Sequence, residues 1–295
     1  MLKNITKYHW LLHLIVFIWG WSPILGKYIS VGALQLVWFR IAITITIMAI
    51  YLMYIRANIR LTTRHALQLL GVGLIICVHW LCFYGAIKVS NVSVTMAAFS
   101  TGTLFTAITE PLFFKRRIIW YELLIGLIII GAICLIFSVE IKYGMGIFLG
   151  VAAAFTASLF SVMNGLLIKK MTSPVISFYE LSFALVGLSI YLLATHNFSE
   201  AFFRISNSDW IYLSLLSGIC TVFPFIASVN LMKHLSPYTI NLTVNLEGVY
   251  GIILAGFLFH EHKELSWTFY YGVLIILSAI FLNAFLKQKM SGKKP

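Results

Sequence analysis

Charged residues are scarce in this chain. Of its 295 residues only 10% are charged, whereas 61% are hydrophobic, and the mean hydropathy is +0.96. Soluble domains are only about half apolar, so this composition excludes a soluble globular protein. No segment combines low hydrophobicity with high charge, which excludes a long disordered region as well. The sequence therefore predicts an integral membrane protein.

The sequence motifs of enzymes are missing too. Asp209 is the single aspartate, which rules out an intramembrane protease built on two aspartates. The histidines His260 and His262 lack the spacing of an HExxH zinc motif, and neither a GxSxG elbow nor a P-loop occurs. The four cysteines lie within apolar runs and show neither a disulfide framework nor the spacing of metal ligands. We therefore expect no enzymatic activity, no metal and no cofactor.

Ten long apolar runs are present instead. Runs of about 20 residues suit a hydrocarbon layer of roughly 30 Å, and they are too long and too uniformly apolar for barrel strands. The first run continues without a signal-peptide cleavage site, so we interpret it as a retained helix. The runs cover residues 9–29, 33–54, 66–87, 92–114, 118–138, 144–167, 175–194, 209–231, 237–259 and 267–286. The expected fold class is an all-α integral membrane protein with ten transmembrane helices.

The positive charges are distributed unequally between the two sides of the membrane. With ten spans and an inner N-terminus, fifteen lysines and arginines fall on the inner side, Lys293 and Lys294 among them, and five fall on the outer side. This asymmetry follows the positive-inside rule. It accounts for the net charge of +12, so nucleic-acid binding is not needed to explain it. Both termini are expected in the cytoplasm.

The second half of the chain is a weak repeat of the first. At an offset of about 145 residues the order of spans is preserved, and Gly73 aligns with Gly218. Each repeat has five spans, an odd number, so the second repeat must enter the membrane from the opposite side. The predicted repeats are residues 1–140 and 141–295, in one membrane domain. Inverted repeats of this kind are typical of secondary transporters, which bind substrate in a central cavity at the repeat interface.

Several segments carry a resemblance to a known family. They are FIWGWSPILGKYI, WFRIA, FYGAIKVSNVSVTMAAFSTGTLFTAITEPLFF and MKHLSPYTINLTVNLEGVYGIILAGFLFHEHKELS. With these segments the chain resembles the ten-helix EamA-like family of the drug/metabolite transporter superfamily over nearly its whole length. The family usually has a proline where this chain has Gly248, and Lys115 stands where the second repeat has Glu261. The resemblance implies two five-helix bundles around a central cavity, and export or exchange of small metabolites.

Arg40 is the first candidate for a functional residue. It lies in the second span, roughly 10 Å below the outer end by helix rise. One interpretation is that it reaches outward and bonds carbonyl groups of a neighbouring helix. The other is that it faces the cavity and holds an anionic group such as a substrate carboxylate. Glu180, its counterpart by position, lies in the other leaflet, so we expect no ion pair between them and interpret Glu180 as structural.

Polar residues of the ninth and fourth spans are further candidates. Glu247 is the deepest carboxylate and could carry a proton in proton-coupled transport, although we favour a structural role in which it is protonated or hydrogen-bonded across the repeat interface. Asn245 lies two residues before it and points to a different sector. Ser100 belongs to a series of small polar residues that usually join helices, with a subset lining the cavity as the alternative. Glu110 is expected to form a salt bridge at the membrane rim.

Aromatic residues and prolines complete the candidate site. His79 and Tyr84 in the third span combine a titratable ring with an aromatic wall, although a lone membrane histidine is more often a hydrogen-bonded packing group. Trp19 lies in mid-span, away from the interfacial belt where tryptophans collect, and is a candidate cavity wall. Pro23 and Pro224 are expected to kink the first and eighth spans, because each removes an intrahelical hydrogen bond.

These features together favour a secondary transporter that works by alternating access. We expect export or exchange of small metabolites, with amino acids preferred, aromatic or apolar ones included. One alternative is a drug, sugar or nucleobase transporter of the same fold. A channel is less favoured, because it would need a ring of charges or a carbonyl filter. The expected partners are a small-molecule substrate and the lipid bilayer, without nucleic acid. The resemblance points to the cell inner membrane, and the oligomeric state stays open, with a monomer compatible.

Overall fold

The computed structural model describes residues 2–291, and within this range the chain is helical and contains no strand. Lys293 and Lys294, counted above among the inner cations, lie outside the described residues. The α-helices α1 to α13 are, in chain order, Leu2–Trp19, Ser22–Tyr28, Ala33–Tyr54, Thr63–Val89, Val92–Phe99, Gly102–Phe114, Trp120–Val139, Gly144–Leu167, Ser173–Ala194, Asn207–Ser217, Phe223–Leu231, Pro237–Leu258 and Trp267–Ser291.

These helices form ten spans, as the sequence predicts. Within residues 2–291, nine spans are long and apolar enough to cross a membrane, and α13 adds a shorter apolar stretch at Trp267–Asn283. The observed ends differ from the predicted ones by a few residues. The third span, predicted at 66–87, is the helix Thr63–Val89. It starts earlier because the side chain of Thr62 accepts a hydrogen bond from the backbone N–H of His65 and caps the helix.

Two spans are interrupted next to a proline. The first span breaks at Gly20 and Trp21, and Pro23 lies in the first turn of α2. The eighth span contains a π-helical turn at Gly218–Val222, after which Pro224 lies in the first turn of α11. Proline lacks a backbone N–H, and the first helical turn is where that missing donor is tolerated.

The fourth span is interrupted without a proline. The span predicted at 92–114 is observed at Val92–Phe114, but within it α5 ends at Phe99 and α6 begins at Gly102. The hydroxyl groups of Ser100 and Thr101 donate to backbone carbonyls of the preceding turn, at 3.1 and 2.8 Å. Such local side-chain bonds compete with the helical pattern. The span therefore lies where it was predicted, and hydroxyl side chains accompany the interruption of its helix.

Equivalent spans of the two repeats pack against each other. The second span, α3, contacts the seventh, α9, and the fifth span, α7, contacts the tenth, α13. The ninth span, α12, packs on both segments of the fourth, α5 and α6. The packing of α4 on α8 has its counterpart in the packing of α1 on α11. The fold is therefore two five-span repeats related by a pseudo-two-fold axis, and an odd number of spans makes them inverted.

Helices α3 and α9 are equivalent in the two repeats, and their residues can be compared position by position. Both have 22 residues, and the eighth residue is Arg40 in α3 and Glu180 in α9. Helix α9 lies very close to α4, because a Cβ atom at Gly73 would overlap the backbone oxygen of Glu180. The two ionisable residues thus occupy matching positions in opposite repeats.

Carboxylates of one repeat cap helices of the other. Glu261, just after α12, accepts a hydrogen bond from the backbone N–H of Val92 at 3.0 Å, at the start of α5. Glu110 in α6 accepts one from the backbone N–H of Tyr238 at 2.5 Å, at the start of α12. Glu110 also forms an ion pair with Arg116 at 2.9 Å, which confirms the expected rim salt bridge. Each repeat thus satisfies free N–H groups of the other.

Candidate substrate site in the central cavity

A cavity of about 90 Å³ lies between the two repeats. Its walls come from α1 to α5, α8, α11, α12 and the π-helical turn of the eighth span. Five of the residues predicted for the site line this cavity together: Trp19, Arg40, His79, Tyr84 and Glu247. They come from four different spans of both repeats, so the site exists only when the repeats are assembled.

Arg40 forms the polar centre of the cavity wall. It is only 4% exposed. Its Nε donates to the hydroxyl of Thr221 at 3.0 Å, and its Nη1 donates to the hydroxyl of Tyr84 at 2.6 Å. The guanidinium carbon lies 4.0 Å from the centre of the Trp80 ring, a cation–π contact. Arg40 thus bonds side-chain hydroxyl groups in the cavity wall and does not reach outward to the carbonyl groups of a neighbouring helix.

The neighbours of Arg40 hold its charge without neutralising it. The ion pairs within 4.0 Å in the described part of the chain are Arg116–Glu110 and Arg204–Glu200, so no carboxylate is paired with Arg40. A guanidinium has five N–H donors in a planar fork, and two of them are used by the hydroxyl groups. Arg40 thus lines the cavity with a guanidinium that keeps its positive charge.

The π-helical turn places Thr221 against Arg40. In this turn the Thr221 hydroxyl donates to the carbonyl of Leu216, five residues earlier, at 2.7 Å. The same oxygen accepts the bond from Arg40. Single π-helical turns inside α-helices are frequent at functional sites, because the extra residue redirects a side chain. The irregular backbone of the eighth span therefore has a direct effect on the site.

A glycine makes room for the Tyr84 ring. Tyr84 is fully buried, and a Cβ atom at Gly26 in α2 would overlap its ring carbons. The absence of a side chain at Gly26 lets the ring lie against α2 while its hydroxyl reaches Arg40. The segment GWSPILGKY of the first span thus shapes the site through its backbone as well as through Trp19 and Ser22, which line the cavity.

Glu247 lines the same cavity from α12. It is 6% exposed and lies beside Gly248, where a Cβ atom would come within 3.5 Å of the Met96 carbonyl. Helix α12 runs through Gly248 unbroken. Arg40 and Glu247 therefore line one cavity, and they are not in an ion pair.

His79 belongs to the aromatic part of the wall. Its Nδ1 donates to the carbonyl of Ala153 at 2.8 Å, since a carbonyl oxygen can only accept. Its ring lies 5.2 Å from the Phe160 ring, 5.8 Å from Phe99 and 6.0 Å from Phe83. His79 thus joins α4 to α8 and contributes its other ring edge to a largely aromatic surface.

Two predicted site residues lie elsewhere. The Ser100 hydroxyl bonds back to the carbonyl of Met96, and Asn245 donates to the Thr103 hydroxyl. Neither is among the cavity-lining residues. Asn245 is turned away from the cavity because residues two apart on a helix point in different directions, so it joins α12 to α6 while Glu247 faces the cavity.

Sequence reasoning missed several polar residues of the wall. Ser161 and Asn164 in α8, Thr221 in the π-helical turn and Asn241 in α12 all line the cavity. The signal for the first two was present, since they lie three residues apart on one face of the sixth span. The position of Thr221 depends on the π-helical turn, which no pattern in the sequence predicts.

The fold and the cavity together define a class of protein: a multi-pass helical membrane protein whose two inverted repeats enclose a small polar site. The family comparison makes this specific. The EamA-like transporter family matches residues 6–138 and again 144–285. The chain therefore belongs to this family, whose members are drug/metabolite-type transporters of small molecules, not enzymes. No curated protein matches the sequence.

Solved structures share the fold. One crystal structure, described only as "Crystal structure of protein", is similar with a TM-score of 0.69. The similarity covers 97% of this chain and 99% of the other, at 13% sequence identity. A likeness at this identity shows the ten-span fold and nothing about the substrate.

Proposed function

We propose that this protein is a secondary transporter of small amino acids or closely related zwitterions, and that it exports or exchanges them across the cell inner membrane by alternating access. The observation that carries the proposal is the unpaired Arg40 guanidinium in the wall of the central cavity. A buried cation without a carboxylate partner is stabilised by an anionic ligand. A substrate carboxylate supplies that ligand with bidentate geometry.

The rest of the wall suits the remainder of such a substrate. Glu247 presents a carboxyl group to the same cavity and can receive a substrate ammonium group. The aromatic surface around His79, Phe99 and Phe160 suits an apolar side chain. A guanidinium, a carboxyl group and an aromatic surface in one cavity match the three parts of an amino acid.

The volume of the cavity supports a small substrate. An apolar cavity of about 150 Å³ admits benzene, whereas this cavity measures about 90 Å³. The observed state therefore has room for a small amino acid or for the head group of a larger one. A bulky cationic drug would need a wider cavity and would also meet the like charge of Arg40.

Counterflow in proteoliposomes tests the proposal. Vesicles loaded in turn with each member of an amino-acid panel are diluted into labelled substrate, and accumulation is compared for the wild type, Arg40→Lys and Arg40→Ala. We expect accumulation in the wild type and its loss in both variants, because lysine cannot reproduce a planar bidentate fork. Arg60→Ala, at an exposed loop position, serves as the matched control and is expected to behave as the wild type.

The other outcomes assign the function differently. Accumulation that survives both Arg40 variants would keep the transporter and remove the role of Arg40 in substrate binding. Absence of accumulation for every amino acid would contradict the substrate class and direct the panel to sugars, nucleobases and drugs. Flux that saturates at no substrate concentration would indicate a channel.

A further inference from the structure

A second polar cluster lies beside the cavity, in the second repeat. Glu180 in α9 is 0% exposed, and the amide nitrogen of Asn164 in α8 donates to its Oε2 at 3.3 Å. Asn164 lines the central cavity, whereas Glu180 does not. The carboxyl group of Glu180 is therefore one hydrogen bond removed from the cavity, with the Asn164 amide between them.

The surroundings of Glu180 offer no compensating charge. The helices packed on α9 are α3, α4 and α11, while α8 reaches Glu180 through the Asn164 side chain. Neither α8 nor α11 carries a charged or titratable side chain. The charged and titratable residues of the other two helices are Arg40, Tyr51 and Tyr54 in α3, and Arg64, His65, Cys77, His79, Cys82, Tyr84 and Lys88 in α4. None of the cations among them is within 4.0 Å of Glu180 in the described structure. An ionised carboxylate at this place would be buried and unpaired, which is strongly unfavourable.

Two acceptor atoms of the cluster lack a hydrogen-bond donor, which one added proton would supply. Oε1 of Glu180 and Oδ1 of Asn164 are both buried and have no hydrogen-bond partner in the described residues. Both are acceptors, and buried acceptors without a donor are rare in folded proteins. A proton on Oε1 would supply the missing donor. The carboxylic acid could then donate to the amide oxygen while the amide N–H donates to the acid, which pairs every polar atom of the two side chains except one N–H.

We propose that Glu180 is the proton-binding site that couples transport to a proton gradient, with Asn164 as the residue that connects it to the cavity. Oε1 of Glu180 takes up a proton from a hydronium ion of the cavity water and returns it to a water molecule when the cavity is open to the other side. Each transfer breaks an O–H bond of the donor and forms one on the acceptor, and the protonated acid then donates to Oδ1 of Asn164. This inference rests on the proposed transport function.

Glu180 and Glu247 thereby take different roles. Glu247 lines the same cavity as Arg40, so its ionised form has a cation in that cavity and can bind a substrate ammonium group. Glu180 occupies the position in α9 that Arg40 occupies in α3. One repeat thus presents a permanent cation at this position, and the other presents a group that is neutral when protonated.

Infrared difference spectroscopy tests the protonation directly, without a substrate. The purified protein at neutral pH is expected to show the C=O stretch of protonated carboxyl groups, and the wild-type minus Glu180→Gln difference spectrum should contain the band that belongs to Glu180. Glu200→Gln, an exposed carboxylate outside the cavity, is the control and should leave the band unchanged. If Glu180→Gln does not fold, Asn164→Ser replaces it, and the loss of the amide partner should move the band to higher frequency. A wild-type spectrum without the band, or a band that neither substitution alters, would overturn the proposal.

Transport driven by a pH gradient tests the coupling. Wild-type proteoliposomes should accumulate labelled amino acid above equilibrium when a pH gradient is imposed, and Glu180→Gln should lose this accumulation while keeping counterflow, which needs no net proton movement. Counterflow without any response to the gradient in the wild type would overturn the proton site and leave the proposed function intact. Loss of counterflow for every amino acid in the wild type would instead overturn the proposed function, and the infrared result would still decide the protonation of Glu180.

Discussion

Arg40 shows how a single residue can keep a permanent charge inside a span. Its guanidinium has exchanged water for two hydroxyl groups and a ring face, those of Tyr84, Thr221 and Trp80. These partners are neutral dipoles, so they solvate the cation and leave its charge uncompensated. The charge is then available for a ligand, at the expense of stability in the empty state.

Substitution of Thr221 by valine measures this solvation. Thr221→Val keeps the shape of the side chain and leaves the Nε of Arg40 without its acceptor, so we expect a loss of roughly 1–3 kcal/mol in unfolding free energy. Thermal unfolding of the purified protein in detergent gives the difference. Thr46→Val is the matched control, because Thr46 is exposed and bonds only to the carbonyl of Ala42 in its own helix. Equal destabilisation by the two substitutions would contradict the importance of the Arg40 contact.

The depth of Arg40 could be predicted from the sequence, but its partners could not. Its position follows from counting residues along an apolar run. Tyr84 and Thr221 are 44 and 181 residues away in the chain, and one of them is oriented by a π-helical turn. Contacts of this kind depend on the packing of three separate spans, which hydropathy alone does not specify.

At the scale of helices, the sequence predicts spans well and irregularities poorly. All ten spans lie where the apolar runs lie, because the hydrocarbon thickness fixes their length. The proline-associated interruptions in the first and eighth spans have a local cause. The break at Ser100 and Thr101 has no such marker, since hydroxyl residues are common in regular membrane helices and interrupt them only in particular surroundings.

The contact between α4 and α9 can be tested with two neighbouring glycines. A Cβ atom at Gly73 would overlap the backbone of Glu180, whereas a Cβ atom at Gly71 meets no atom within 4 Å. We expect Gly73→Ala to lower the unfolding free energy by about 1–3 kcal/mol through overpacking. Gly71→Ala should be neutral or stabilising by up to about 1 kcal/mol, because alanine has the higher helix propensity. Denaturant titration in micelles distinguishes them, and equal stabilities would show that α9 can move away from α4.

The reciprocal caps give a second test at this scale. Glu261→Gln keeps the size of the side chain and replaces charge-assisted bonds to the start of α5 by weaker ones. We expect a loss of about 1–2 kcal/mol in unfolding free energy, the usual range for a lost helix cap. Glu264→Gln changes an exposed carboxylate three residues further on and should have no measurable effect. A melting temperature for Glu261→Gln that matches this control would show that the cap is dispensable.

At the scale of the molecule, both repeats contribute residues to the site. The first repeat supplies Trp19, Arg40, His79 and Tyr84, and the second supplies Glu247 and the wall around α8. The family match in two segments, 6–138 and 144–285, agrees with this organisation. The sequence offset indicates that the repeats exist, but which of their faces meet is decided by packing and had to come from the structure.

The orientation of the molecule is a prediction that labelling can check. In a background without native cysteines, Asn58→Cys lies in the loop expected inside and Lys263→Cys lies in the loop expected outside, both at exposed positions. An impermeant maleimide added to intact cells should label Lys263→Cys at once and Asn58→Cys only after the membrane is permeabilised. The reverse order would place both termini outside and contradict the charge asymmetry as a guide to topology.

The reciprocal caps also impose an order on biosynthesis. The start of α5 is capped by Glu261, 169 residues downstream of Val92. At translation rates of roughly 5–20 residues per second, the fourth span waits on the order of ten to thirty seconds for its capping carboxylate to be made. During that interval its first N–H groups depend on interfacial water or on the insertion machinery. The first repeat is therefore synthesised before this cap exists. Its fourth span becomes fully capped only when Glu261 of the second repeat has been made.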